Sequence, residues 1–300
     1  MIEIVQLAPS EVEAWEDLTF PLHRPRLRGE APGVALGARM VGQPVGLALA
    51  TPDADAELLS VAVRPSWRGQ GVAGRLLAAL EEELLKRGCD SLQATYIAGQ
   101  PSTAAVERLL ARRGFAAPQP RMLVCRSEIP LLHQAPYVSR RVPRRAGEVV
   151  LWSSLGTAER NALRDEQARE PVFASWVTPF EDEDRIEPAS SLALIRDGVI
   201  QGFMITHRVA PELVRYSRLS VRRGVPVGSG FGLAAQSIRL HWERLRGEAP
   251  LASVDFGVSN RMMVNFLGRH LRPYLTSVDV SKRSSKSLCS GAAPSRGGAA

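Results

Sequence analysis

Residues Ser60–Gly74 read SVAVRPSWRGQGVAG, and the rest of the chain is read outward from them. The stretch continues an apolar run, so that Ala56–Val63 (AELLSVAV) has the length and composition of a buried strand. Pro65, which has no N–H to donate, ends that strand. Glycines 69, 71 and 74 then open an amphipathic helix, Gly71–Arg87, with Val72, Leu76, Leu77, Leu80 and Leu84 on one face. Lys86, Arg87 and Gly88 stop it. A Gly-rich turn into a helix lets several backbone N–H groups converge on one anion without obstruction by Cβ atoms, and the helix dipole adds positive charge. Such a turn suits a pyrophosphate. It is neither the G-x-x-x-x-G-K-[ST] loop nor the G-x-G-x-x-G fingerprint, because no Lys-Ser/Thr follows. A tight strand-to-helix turn without a ligand would use the same glycines.

Around this stretch the chain divides into two blocks of one order. In the first, Ile2–Leu7 reads as a strand, Ser10 starts a helix, and Val34–Ala50 forms a hairpin turning near Gly42. The strand and helix just described follow, then a strand at Leu92–Ile97, a helix at Thr103–Arg113 and a closing strand at Met122–Ile129. The second block repeats this: a strand at Val149–Leu155, a helix capped by Thr157, and a hairpin at Leu192–His207 turning on Asp197-Gly198. Next come a strand at Leu213–Val221, a helix at Gly230–Arg246, a strand at Ala252–Val258, a helix at Asn260–His270 and a strand at Leu275–Val280. Gly71–Gly88 and Gly230–Gly247 both span 17 residues and bracket a helix, which points to duplication. Between the blocks, Pro130–Ala146 (PLLHQAPYVSRRVPRRA) reads as an exposed connector, and the Ser/Gly/Ala-rich tail after Val280 as disordered.

Arg68-x-x-Gly71-x-Ala73, set between that strand and GRLLAALEEELLKRG, resembles the acyl-CoA signature of the GNAT superfamily of N-acyltransferases. A later helix ending Arg113-Gly114-Phe115 is similar to the family's closing R-G-F. The resemblance implies an α/β (α+β) fold: two tandem GNAT-like domains, each a mixed, mostly antiparallel sheet flanked by helices. The expected boundaries are 1–130 for the N-terminal domain, 131–146 for the linker, 147–283 for the C-terminal domain and 284–300 for the tail. It further implies that the turn Arg68, Gly69, Gln70, Gly71, Val72, Ala73 and Gly74 holds the CoA pyrophosphate. The edge of Val61, Ala62 and Val63 would pair with the pantetheine arm as an added strand does. The second block carries a looser version, LSVRRGVPVGSGFGLAAQSI, whose weaker cofactor candidates are Leu219, Val221, Gly228, Gly230 and Gly232. Val227 stands where the family has Arg or Gln, and Asn260 matches an Asn the family often places beside the cofactor.

Acyl transfer to an amine needs a proton acceptor and a polarised carbonyl. Glu57, six residues before Val63, resembles the family's general-base Glu, although an ordinary strand-edge glutamate would look the same. Six before Val221 stands Arg215, which is no base; Asp255 is the nearest carboxylate. The family's thiolate-protonating Tyr is replaced by Leu110 in the first block and Leu267 in the second. Tyr96 and Tyr216 lie on nearby strands, where a buried, hydrogen-bonded OH is the plainer reading.

Composition narrows the alternatives. The net charge is +7, but Pro130–Ala146 and Ser281–Ala300 together carry eight acid-free cations, so the remaining body is close to neutral. Specific nucleic-acid binding is therefore not expected. No run of 18 apolar residues occurs, MIEIVQLAPS lacks the basic start of a secretory signal, and no membrane association is expected. Cys89, Cys125 and Cys289 form no pair, and the five histidines form no metal spacing; His241 reads as solvated on an Arg-rich helix face. The expectation is a cytoplasmic, metal-free acyltransferase. It takes acetyl-CoA or another acyl-CoA as donor and a small-molecule or peptide amine as acceptor. Alternatives are a CoA-binding sensor and an enzyme fed by an acyl-carrier protein.

Overall fold

The computed structural model describes residues 2–174 and 177–289. Two compact units emerge: Met1–Arg121 together with the segment from Val280 onward, and Met122–Asp279.

The first unit opens with β1 (Ile2–Gln6) and a 3-10 helix, Pro9–Leu18, where the sequence suggested an α-helix. Val12 and Trp15 are its buried residues, and a spacing of three is the 3-10 repeat. A short α1 (Arg24–Leu27) leads into the hairpin β2 (Val34–Met40) and β3 (Gln43–Ala50). Then follow β4 (Asp55–Val63), α2 (Val72–Lys86), β5 (Ser91–Ile97) and α3 (Thr103–Arg112). Leu76, Leu77, Leu80 and Leu84 of α2 and Leu110 of α3 pack on one sheet face with Val34, Ala48, Ala56 and Leu92. The other face is covered by Val12, Trp15 and Leu27 over Leu47 and Leu49.

The second unit begins within β6 (Gln119–Glu128), followed by α4 (Ile129–Leu132), β7 (Glu148–Leu151), α5 (Thr157–Arg169), β8 (Leu192–Arg196) and β9 (Val199–Ala210). β10 (Leu213–Val221), α6 (Ser229–Leu245), β11 (Leu251–Gly257), α7 (Arg261–Phe266) and β12 (Ser277–Ser287) complete the chain. Gly156 rather than Thr157 caps α5, donating its N–H to Glu159 Oε2 at 2.6 Å. The β8–β9 turn is made by Asp197 and Gly198, both at positive φ, the backbone a two-residue hairpin demands. One packing device occurs in both units. Gly46 faces Val63 across its ladder and Gly202 faces Val221, and a Cβ at either glycine would press on the neighbouring strand.

The closing strands depart from the sequence expectation. Met122–Glu128, expected to close the first block, pairs antiparallel with β11 of the second unit. Ser281–Ser287, expected in a disordered tail, pairs antiparallel with β5 of the first. The chain thus leaves the first unit before its sheet is complete and returns to finish it after building the second. Lys282 and Lys286, counted as tail charge, bind Glu107 at 2.9 Å and Glu81 at 2.6 Å. Residues 290–300 lie outside the described part of the chain. The connector is not an exposed linker either: Leu132, Ala135, Val138 and Ala146 are buried in the second unit's core.

Candidate active site

The parallel ladder between β4 and β5 runs from Asp55–Ser91 to Leu58–Ala94 and ends there. Beyond it, β4 continues to Val63 hydrogen-bonded to β3, and β5 continues to Ile97 bonded to β12. The two strands diverge, and a register shift in β3–β4 at Leu49/Ala50 accompanies the divergence. The facing edge of Val61, Ala62 and Val63 is left free to pair with an extended ligand.

At the end of this edge lies the turn. Arg68 does not point its Nε at the turn's amides; it donates to the Val63 carbonyl at 3.0 Å and braces the strand end. The amide of Gln70's side chain likewise reaches back to Ser66 O at 3.4 Å. Gly69 and Gly71 both take φ +78°, the left-handed region that favours glycine, and Gly71 is the N-cap of α2. A Cβ at 69, 71 or 74 would meet no atom within 4 Å. The first helical hydrogen bond is Arg75 N–H to Gly71 O. Among the described residues no group accepts from the amides of 69–74, which leaves these donors unpaired within the chain. Val72 is buried and anchors the turn to the core, and Ala73 stands beside it in the first turn.

Glu57 is exposed on the sheet face opposite α2 and α3, paired in register with Gln93. Its backbone is fixed at both ends to Thr51, whose N–H donates to Glu57 O and whose Oγ1 accepts from Glu57 N–H. His23 lies close enough to feel its charge; burial and Arg26 push the imidazole below its ordinary pKa, and Glu57 opposes them. On the α3 side, Leu110 is fully buried in the core. Tyr96 OH donates to Glu107 Oε1 at 3.1 Å, and Lys282 holds the same carboxylate. Burial, with the Glu107 bond adding to it, pushes Tyr96 up to about 12. Its proton is already engaged.

The second unit has the same divergence: β10 and β11 pair from Leu213–Leu251 to Tyr216–Val254 and then separate, with a register shift at Tyr216/Arg218. Of its cofactor candidates Gly228 is as open as Gly71 and Gly230 meets only Leu219 and Val221 at 3.9–4.0 Å, whereas Gly232 is crowded. The N-cap of α6 is Gly228, at φ +91°, so Gly228, and not Gly230, holds the place that Gly71 holds in the first unit. Three residues beyond the cap, where the first unit has Gly74, stands Phe231. It packs on Phe266 of α7 at 4.9 Å and lies under the Arg140 guanidinium at 6.0 Å. Tyr137 of the connector closes on Phe266 at 5.4 Å. Gly232 lies under the connector backbone, where a Cβ would stand 2.6 Å from Val142 N. Arg239 fastens that segment through the carbonyls of Val138 and Arg140. Leu219 and Val221 remain on the divergent edge of β10. Asn260 is the N-cap of α7, its Oδ1 accepting from Met263 N–H at 3.2 Å, which gives it a structural task.

One residue of this unit differs from its sequence reading. His241 is buried, not solvated. Its Nε2 faces Ala249 O at 2.7 Å and therefore carries the proton, so Nδ1 accepts from Tyr216 OH at 2.9 Å. Burial pushes this imidazole below its ordinary pKa. Asp255 lies on the divergent part of β11; burial raises its carboxyl, with Arg215 and Arg126 pulling the other way. Arg215 itself donates to Ser217 Oγ at 3.2 Å.

Sequence reasoning missed Arg283, Thr95, Arg121 and His23. Arg283 pairs in register with Thr95 on the Glu57 face of the first unit. The alternation of β12 was the available signal: Lys282, Ser284 and Lys286 contact α2, α3 and the segment after it, so the odd positions face the other way. Among the described residues no cluster of three or more His, Cys, Asp or Glu side chains is placed to hold a metal, and no helix is long and apolar enough to cross a membrane.

Residues 2–115 match the family model described as "Acetyltransferase (GNAT) family". No curated protein sequence matches the chain significantly. Among solved structures, a tandem GNAT protein from the clavulanic acid biosynthesis pathway aligns over 97% of this chain and 100% of its own, with TM-score 0.67 and 17% identity. A GCN5-related N-acetyltransferase from Sphaerobacter thermophilus aligns over 97% of each chain, with TM-score 0.60 and 17% identity. A probable N-acyltransferase from Enterococcus faecalis aligns over 96% of this chain and 72% of its own, with TM-score 0.55 and 13% identity. At these identities the likeness is one of fold. Residues 2–115 match the GNAT acetyltransferase family in sequence, and the whole chain shares its fold with a solved tandem GNAT protein.

Proposed function

We propose that the first unit transfers an acyl group, acetyl in the simplest case, from a CoA thioester to an amine, and that the second unit supports it without binding cofactor. The observation that carries this reading is the contrast between the two turns. The amides of 69–74 have no partner among the described residues, and a Cβ at Gly69, Gly71 or Gly74 would meet nothing within 4 Å. In the second unit Gly228 is as open as Gly71, but the Val225 and Ser229 amides donate to Arg222 O and Pro226 O, Phe231 stands where the first unit has Gly74, and Gly232 abuts the connector backbone.

In this reading the pyrophosphate sits on the amides of 69–74 at the N-terminus of α2, where dipole and N–H donors favour an anion. The pantetheine arm lies along Val61–Val63 and brings the thioester to the end of the β4–β5 ladder, near Glu57. The neutral amine attacks the carbonyl carbon, a C–N bond forms, and the carbonyl electron pair moves to oxygen, stabilised by a strand N–H. Collapse breaks the C–S bond and releases CoA thiolate. The nitrogen's extra proton passes to Glu57, directly or through water, and solvent protonates the thiolate. Tyr96 is left out because Glu107 holds its proton. The free thiols Cys89, Cys125 and Cys289 fit a reducing, cytoplasmic setting. No observation favours a carrier-protein donor.

A second reading is favoured by Leu110: with a buried leucine where the family has its acid, the unit would bind acetyl-CoA as a sensor. Following thiol release from acetyl-CoA across a panel of amines separates the two. Transfer that falls at least about 100-fold in Glu57→Gln supports catalysis. Tight acetyl-CoA binding with no thiol release from any amine supports the sensor.

A further inference from the structure

Resting on the reading of the first unit as an acyltransferase, we propose that its amine acceptor carries a carboxylate or phosphate, bound by the guanidinium group of Arg283 and by the Thr95 hydroxyl. The acceptor's amine then faces Glu57. The placement comes from the sheet register. Glu57 of β4, Gln93 of β5 and Ser285 of β12 form one row across three strands. Thr95 and Arg283 form the next row, two residues further along β5, at the first position where β4 no longer pairs with it. All five side chains belong to the face opposite α2 and α3, because their neighbours at 92, 94, 282, 284 and 286 are the ones that pack toward the helices.

With strands about 4.8 Å apart and about 6.8 Å between such rows, the Cα atoms of Glu57 and Arg283 stand roughly 12 Å apart. A carboxylate and a guanidinium reaching toward each other over that distance leave room for a small molecule with an amine at one end and an anion at the other.

The polar atoms here are unspent. Thr95 Oγ1 and Arg283 Nε are buried with no hydrogen-bond partner, and they belong to directly opposed residues. Buried donors and acceptors are normally satisfied, so a pair left open across one register step points to a ligand. Among the described residues neither Arg283 nor Arg121 forms an ion pair, while Lys282 and Lys286 on the same strand both do. Burial and the neighbouring Arg121 push the Arg283 guanidinium down, with Glu57 opposing, so two cations are held near each other in want of an anion. The planar fork of Arg suits a carboxylate or phosphate oxygen pair. Arg283 arrives on the strand supplied after the second unit, so the acceptor site of the first unit is incomplete without the chain's last strand.

The test uses the full chain, acetyl-CoA and matched acceptors: amino acids, their C-terminal amides, and aminoalkyl phosphates beside the parent amines. Thiol release gives kcat/KM, and calorimetry on the CoA-bound protein gives acceptor affinity without turnover. The anionic member of each pair should be preferred at least tenfold, with the carboxylate and phosphate series showing which anion fits. Arg283→Gln should erase that preference through KM, and Arg283→Lys should restore part of it. Equal use of acids and amides by the unaltered protein, or an undiminished preference in Arg283→Gln, overturns the inference while leaving acyl transfer standing. Anion-dependent binding without thiol release upholds the anion site and overturns the acyltransferase reading instead. Neither binding nor release with any acceptor overturns both.

Discussion

Gly71→Asp probes the turn on which the functional reading stands. Gly71 sits at φ +78° and ψ 4°, and a Cβ there meets nothing within 4 Å, so the folded chain has room for the side chain. The conformation itself costs an L-residue about 1–2 kcal/mol, least for Asn and Asp. A carboxylate about 4 Å from a bound pyrophosphate would add about 4 kcal/mol of repulsion at an effective dielectric near 20. Solvent exposure and salt reduce this, since the Debye length is about 8 Å at physiological ionic strength. A loss of at least about 1.4 kcal/mol, tenfold in acetyl-CoA affinity, remains. Gly71→Asn carries nearly the same shape and backbone cost without the charge, so the Asp–Asn difference in calorimetric Kd isolates the electrostatic part, and that difference should shrink as salt rises. Acetyl-CoA affinity equal to that of the unaltered chain in a folded Gly71→Asp variant would refute the argument.

Other outcomes follow from the same structure. Gly228→Asp should leave acetyl-CoA affinity and a stoichiometry of one per chain intact; a second site lost in this variant would mean that the second turn binds as well. Ending the chain after Asp279 removes the strand that covers β5 and the Lys282 and Lys286 ion pairs, so the first unit should lose its cooperative thermal transition. Ending it after Cys289 should preserve that transition. Tyr96→Phe should cost about 1 kcal/mol of stability through the lost bond to Glu107. It should leave the pH–rate profile below pH 10 unchanged, because the phenol titrates only at about 12. Burial lowers the His241 pKa below its ordinary 6.5, so protons bind the unfolded state more readily in the window below 6.5. The second unit should accordingly be at full stability above about pH 6.5 and weaken as pH falls. That slope should flatten when Tyr216→Phe and His241→Leu are combined.

Much of the fold was legible because local signals agreed. The apolar face of α2, the Asp197-Gly198 turn and the glycines at 69 and 71 each state their structure within a few residues. What could not be read was non-local. The strand Ser277–Ser287, SVDVSKRSSKS, loses its apolar alternation after Val280, because one side is spent on ion pairs to Glu81 and Glu107 and the other borders the candidate acceptor site. Composition alone made the part after Val280 a tail, and Arg283 was invisible for that reason. His241 misled through its Arg-rich neighbours, since only the fold brings Tyr216 and Ala249 to its two nitrogens. Helix spacing paired Gly71 with Gly230, yet the backbone makes Gly228 the cap, because the second turn is one residue shorter when counted from Val221 than the first from Val63.

The most direct measurement is a crystal structure of the full chain with bound acetyl-CoA. The account predicts one cofactor per chain, its pyrophosphate within hydrogen-bond distance of the amides of 69–74 and its pantetheine between Val61–Val63 and Thr95–Ile97, with the thioester beside Glu57. Cofactor bound instead at the Gly228 turn, or acetyl-CoA bound away from both turns, would contradict it.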